Sequence, residues 1–122
     1  MSEFRIITLD GSIKTGIQAI RHKIEQALIY GPFLGKDYPD LRNYLFELES
    51  SELFAEITMD VRKVMAMHLP ELEVQDIVVD KQNNSSIHIA IRVMYDGKKY
   101  DTVFLIASTD TGANSVRSTT VE

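Results

Sequence analysis

The residues best suited to chemistry in this chain are its histidines and its clustered carboxylates. Histidine metal sites use a short, paired spacing, or combine histidine with cysteine. His22, His68 and His88 lie far apart, and the chain contains no cysteine. His68 falls on the apolar face of a predicted helix, where packing or attraction to the helix dipole accounts for it. The sequence therefore predicts no metal site, no disulfide and no thiolate chemistry.

Acidic side chains crowd one region of the chain, at Glu47, Glu49, Glu52, Glu56 and Asp60. A glycoside hydrolase needs two such carboxylates in a cleft. Most of these lie in a turn or on the solvated face of a helix, and the chain has no tryptophan to form a sugar platform. The serines form no nucleophile elbow and the glycines no phosphate-binding loop. We therefore expect a protein that is not an enzyme and takes no cofactor.

The bulk properties describe one domain of ordinary size. A chain of 122 residues, 44% of them hydrophobic and 25% charged, can bury its own core. The net charge of -5 and the scattered basic residues argue against binding nucleic acid or an anionic membrane. No apolar run reaches the length of a membrane span, and the N-terminus does not resemble a secretion signal. We expect synthesis in a cytoplasm and no membrane insertion.

Apolar residues at helical spacing predict two amphipathic helices. The first follows Thr15 and ends at the Tyr30-Gly31-Pro32 stop, and the second covers about residues 52–68, ended by Pro70. Between them, residues 40–48 predict a short helix or turn.

Two methionines fall outside the apolar arc of the second helix. Met59 and Met67 flank Lys63 at helical spacing. They are either incidentally exposed, as single apolar residues often are, or part of a second helix face that contacts a partner.

Strands are predicted before the first helix and after the second. Residues 4–9 read as a short strand, and residues 72–79 as another whose apolar phase slips once, which predicts a bulge near Gln75 and Asp76. Residues 81–86 predict a polar loop. Residues 108–122 are rich in Ser and Thr without periodicity and predict a flexible tail.

The strongest turn signal, Asp96-Gly97, predicts a hairpin of residues 87–95 and 98–107. Its two-residue loop pairs Tyr95 with Lys98 and places Arg92 opposite Asp101, a favourable pair. The second face of this hairpin carries apolar residues, so we expect another element or another chain to cover part of it. These residues are Ala90, Val103 and Leu105.

Together these elements predict an α+β fold. It consists of a small, mostly antiparallel sheet with a β-hairpin, packed against two amphipathic helices and a short third helix. We expect one domain over residues 1–107, followed by the flexible tail over 108–122.

From Pro32 onward the chain resembles the GPW family of contractile-tail baseplate proteins, the sheath initiators. The resemblance rests on the order and spacing of four short motifs: Pro32-Phe33, Asp40-Leu41, Leu45-Phe46-Glu47, and Pro70 opening a strand. The chain departs from the family in two places. Asp37-Tyr38 stands where a Phe-Gly step is frequent, and Leu69-Pro70-Glu71 stands where the family has Glu-Pro-Arg.

The resemblance implies a structural protein that joins baseplate wedge proteins to the first sheath ring and seeds sheath assembly by strand addition. Its partners would be other wedge proteins, tube or hub proteins and the first-ring sheath protein, with multiple copies per particle. Leu69, Pro70 and Glu71 would form the wedge-docking joint. The sheath-contact strands would present Ile87, Ile89, Ile91, Val93, Val103 and Leu105, and the open edges would come from this hairpin and the N-terminal strand.

Two alternatives stay open. One is a type VI secretion baseplate component of the same fold, and the other is a regulatory binding module that resembles a bacterial anti-adaptor. The protein would lie in a virion tail baseplate assembled in the host cytoplasm, or in the cytoplasm if it belongs to a secretion or injection system.

Overall fold

The computed structural model describes residues 4–30, 50–83, 86–108 and 114–119. It shows an α+β fold with two helices and two antiparallel sheets, as the sequence predicts. The predicted short helix over 40–48 lies outside the described residues. The elements in chain order are β1 (Arg5–Ile7), β2 (Ile13–Thr15), α1 (Gly16–Tyr30), α2 (Ser50–His68), β3 (Glu73–Asn83), β4 (Ser86–Tyr95), β5 (Lys98–Ser108) and β6 (Asn114–Thr119).

The larger sheet is an antiparallel meander in the order β3-β4-β5-β6. At its centre, β4 and β5 pair in the predicted register, with Tyr95 opposite Lys98 and Arg92 opposite Asp101. Asp96 and Gly97 both have positive φ, 50° and 79°. Positive φ at both positions defines the hairpin turn whose twist matches that of the flanking strands. The local turn chemistry therefore sets the register of the central hairpin.

The predicted bulge in β3 is confirmed. Val74 lies opposite Val93 and Asp76 opposite Arg92, which leaves Gln75 without a partner on β4. This extra residue keeps both the early and the late apolar side chains of β3 on one face of the sheet.

Both helices cover the same side of the sheet, here called the inner face. Helix α2 contacts β3, while α1 contacts α2, β5 and β6. One continuous core fills the space between the layers, because helical and strand periodicity each direct one apolar face towards it. Its fully buried large side chains are Ile20, Ile24, Leu28, Ile57, Met65, Ile87, Ile89, Ile91 and Phe104.

The N-terminal segment forms a two-stranded sheet, β1-β2, where the sequence predicted a single strand over residues 4–9. Strand β2 has only three residues, too few for a periodic signal. Asp10 closes the turn: its carboxylate accepts hydrogen bonds from the Thr8 hydroxyl and from the Ser12 amide. These hydrogen bonds stabilise the charged carboxylate and lower the pKa of Asp10 to about 2, and the bond from Thr8 has the largest effect.

Two further predictions are wrong in part. The expected loop over 81–86 is mostly strand, since β3 continues to Asn83 and β4 begins at Ser86. Within the expected flexible tail over 108–122, residues 114–119 form β6, which pairs with β5. Polar Ser and Thr residues can occupy an edge strand when a neighbouring strand supplies the hydrogen bonds, and Val116 packs against the core.

Across the described ranges, neither helix combines the length and the apolar character that crossing a bilayer requires.

Candidate functional site

The predicted sheath-contact strands occupy the middle of the sheet. Strand β4 pairs with β3 and β5, and β5 pairs with β4 and β6, so both edges of each strand are already hydrogen-bonded. Four of the predicted contact residues are also fully buried in the core: Ile87, Ile89, Ile91 and Val93. The prediction that this hairpin supplies open edges is therefore wrong, because β3 and β6 flank it. Val103 and Leu105 are half-buried on the other side of the sheet.

In the described part of the chain, the outer edges of the larger sheet belong to β3 and β6. Among the described strands, nothing pairs with the outer side of β3 or of β6, and β1 pairs only with β2. With its eleven residues, β3 offers the longest of these edges.

The hairpin register fixes which backbone groups of β3 point away from the sheet. The pair next to the two-residue turn, Tyr95 and Lys98, exchanges hydrogen bonds, and bonded and non-bonded pairs then alternate along the strands. Carried across β4 to β3, this alternation directs the amide and carbonyl groups of Ile77, Val79 and Lys81 outwards. These groups form a ready template for another strand.

A groove runs along the inner side of this edge, between α2 and the beginning of β3. Its volume is about 400 Å³, and its walls are formed by Arg62, Ala66, Pro70, Leu72 and Val74. The groove is mainly apolar, with one cation at the Arg62 wall. An inward-pointing side chain of an added strand would be placed in it, since alternate residues of a strand face the same layer.

The predicted docking joint connects α2 to β3 at this groove. Leu69 is buried, and its amide forms the last hydrogen bond of the helix, to the Met65 carbonyl at 2.8 Å. The helix cannot continue because Pro70 has no amide proton. Pro70 and Glu71 are exposed, and only Pro70 lines the groove. The structure thus brings one residue of the joint to the open edge and places Leu69 in the core.

The opposite side of the sheet, the outer face, is not covered by either helix. A shallow depression of about 280 Å³ lies there, with Val78, Ala90 and Val103 across its middle. Beside them, Arg92 Nε donates to Asp101 Oδ1 at 2.6 Å, which raises the pKa of Arg92. The expected cover over this apolar strip is absent within the described residues, where Val78 remains 44% exposed.

The predicted second face of α2 is exposed. Met59 is 65% and Met67 74% exposed, and Lys63 lies between them on the solvent side. Their separation from the core is confirmed, while a contact with a partner stays a prediction.

The acidic residues considered for catalysis do not converge in the part of the chain that the structure describes. Glu56 is exposed and Asp60 half-buried on α2. Glu47 and Glu49, and the side chain of Glu52, lie outside the described residues. Within the ranges that are described, no three histidine or acidic side chains form a group that could hold a metal ion.

Sequence reasoning missed the β3 edge and the exposed apolar tip of the β1-β2 hairpin. At this tip Ile7 and Ile13 lie opposite each other, and they are 73% and 63% exposed, with Leu9 fully exposed beyond them. The Asp10-Gly11 turn flanked by isoleucines was the signal for the second strand.

No protein family, no curated protein and no solved structure matches this chain. The resemblance to the sheath initiators stays a prediction.

Proposed function

We propose that this protein is a structural assembly component that binds a strand of another protein chain along the outer edge of β3. In the form suggested by the family resemblance, it is a sheath initiator of a contractile-tail baseplate, which joins wedge proteins to the first sheath ring. The observation that carries the proposal is the eleven-residue edge of β3, which no described strand covers. Strand addition to such an edge gives affinity through main-chain hydrogen bonds.

The groove beside the edge supports the same function. Hydrogen bonds between backbones do not distinguish one partner sequence from another, so specific strand addition depends on pockets for alternate side chains of the partner. The groove between α2 and β3 supplies such a pocket, and Leu72 and Val74 at its floor belong to the same face as the core. An apolar side chain inserted here would extend the core of the sheet into the partner.

The binding test uses a photo-crosslinking amino acid in place of Val78, which is exposed on β3 and does not contribute to the core. The full-length variant is expressed in the cells that make the protein, and the cross-linked products are identified by mass spectrometry. We expect cross-links to a strand of a tail sheath or baseplate protein. Cross-links confined to the protein's own chain would overturn the proposal, and a single soluble regulator would favour the anti-adaptor-like alternative.

The edge itself is tested with Lys81→Pro, which removes an outward-pointing amide without removing a bond to β4. Lys81→Thr is the matched control, since it removes the same charge but keeps the amide. We expect only the proline variant to lose sheath nucleation while keeping the circular dichroism of the folded protein. Equal nucleation by both variants would contradict strand addition at β3.

Filling the groove gives a second test. Ala66 is exposed on α2 and lines the groove, while Ala55 is exposed on the same helix three turns earlier. We expect Ala66→Phe to abolish partner binding and Ala55→Phe to leave it unchanged, because only the first substituted ring occupies the groove. Loss of binding in both variants would point to a general effect on the helix.

A further inference from the structure

We propose that the strand accepted by β3 carries three consecutive apolar residues with a basic residue on each side. This inference rests on the proposed function and names the chemistry of the partner. It follows from five consecutive residues at the middle of the edge: Asp76, Ile77, Val78, Val79 and Asp80.

These five residues alternate between the two faces of the sheet. Ile77 and Val79 point into the core and are 8% exposed each. Val78 lies on the outer face at 44% exposure, between the exposed Asp76 and Asp80. Residues opposite each other in an antiparallel pair share a face. The partner residues opposite Ile77, Val78 and Val79 would thus be apolar.

The two aspartates determine the ends of the pattern. On its β4 side, Asp76 faces Arg92, whose guanidinium donates to Asp101 and also attracts the Asp76 carboxylate. Asp80 lies opposite His88 on β4, and on its other side is the β3 edge that no described strand covers. A cross-strand Lys or Arg would complement each carboxylate, while an acidic residue there would be repelled.

The same charges disfavour a second copy of this chain as the occupant. Two β3 strands paired antiparallel about Val78 would place Asp76 opposite Asp80 at both ends. Like charges directly opposite each other destabilise a strand pair. The edge is therefore suited to a different protein, and its charges act against pairing with itself.

The test titrates the full-length, ¹⁵N-labelled protein with two synthetic ten-residue peptides that differ only at the two flanking positions. One contains Lys-Val-Ile-Val-Lys and the other Glu-Val-Ile-Val-Glu. We expect the first to bind at least about tenfold more tightly, since two favourable cross-strand pairs replace two unfavourable ones. The amide signals of Ile77, Val79 and Lys81 should shift on binding.

A double variant provides the control for charge. In Asp76→Asn with Asp80→Asn, the two peptides should bind within about twofold of each other, because the cross-strand charge pairs are gone. Raising the salt concentration should narrow the difference in the unmodified protein.

The outcomes separate the two proposals. If both peptides shift the β3 amides with equal affinity, strand addition stands and the basic-flanked pattern is wrong. If the acidic peptide binds more tightly, the pattern is likewise wrong. If neither peptide shifts the β3 amides at millimolar concentration, the edge does not accept a strand, and the proposed function fails together with this inference.

Discussion

Deleting one residue from β3 should have opposite consequences at two neighbouring positions. Gln75 is the residue of the bulge that has no partner on β4, and Val78 is a regularly paired strand residue with a half-exposed side chain. Removing Gln75 joins Val74, which points inwards, to Asp76, which points outwards, so the strand alternates without interruption. Removing Val78 instead shifts the phase of one half of the strand, and a one-residue slip turns side chains to the other face.

The magnitudes follow from the side chains that change faces. Without Gln75 no buried side chain is lost, and we expect the free energy of unfolding to change by less than about 1 kcal/mol. Without Val78, either Ile77 or Val79 must leave the core, and an aspartate moves towards it. Exposing one such side chain costs about 1.5–3 kcal/mol, and burying an unpaired carboxylate adds to this. The total should exceed about 3 kcal/mol, a large part of the 5–15 kcal/mol typical of a whole domain.

The assay is urea unfolding followed by far-ultraviolet circular dichroism, because the chain contains no tryptophan. The two deletions serve as controls for each other, since each removes one residue with a partly or fully exposed side chain from the same strand. Equal destabilisation by both deletions would refute the bulge at Gln75. Native-like stability after deletion of Val78 would refute the fixed register of β3.

Three further outcomes are expected. The carboxyl ¹³C signal of Asp10 should titrate with a midpoint near pH 2, and Thr8→Ala should raise that pKa towards the ordinary value of about 3.9. Because folding lowers the pKa of Asp10, its carboxylate supports the turn above about pH 4, and this support is lost as the pH falls through 2. An unchanged midpoint in the variant would contradict the Thr8 hydrogen bond. Gly97→Ala should lower the free energy of unfolding by about 1–2 kcal/mol, because φ is 79° at this position. An added Cβ meets open space, so a much larger loss in urea unfolding would contradict backbone conformation as the only reason for glycine here. Ile89→Ala should lower the free energy of unfolding by about 2–5 kcal/mol in the same assay, as expected for a fully buried side chain. Ala90→Ser on the outer face should change it little, and equal effects of the two substitutions would contradict the assignment of the two faces.

The edge of β3 that no described strand covers also has a consequence for solution behaviour. Open, long strand edges are aggregation sites unless charges or bulges protect them. Strand β3 has both devices, in the Gln75 bulge and in the two aspartates of its outer face. The same residues that would select a basic partner strand thus reduce pairing between identical molecules.

Local signals in the sequence determined the helices, the central hairpin and the bulge. The 3.6-residue period located α1 and α2, and Asp96-Gly97 fixed the register of β4 against β5 to the residue. The slip in apolar phase located the bulge at Gln75. Each of these signals is complete within a short stretch of chain, because a turn or a helix face is specified by neighbours in sequence.

Only the tertiary structure decided which edges of the described strands have no partner strand among the described residues. Strand β6 is polar and has no periodic signal, yet it pairs with β5 and closes one of the hairpin edges that the family resemblance implied would be open. The joint at Pro70 became part of a groove because α2 packs beside β3. Edges and grooves arise from pairing between segments distant in sequence, and side-chain alternation within one strand specifies its faces but not its neighbours.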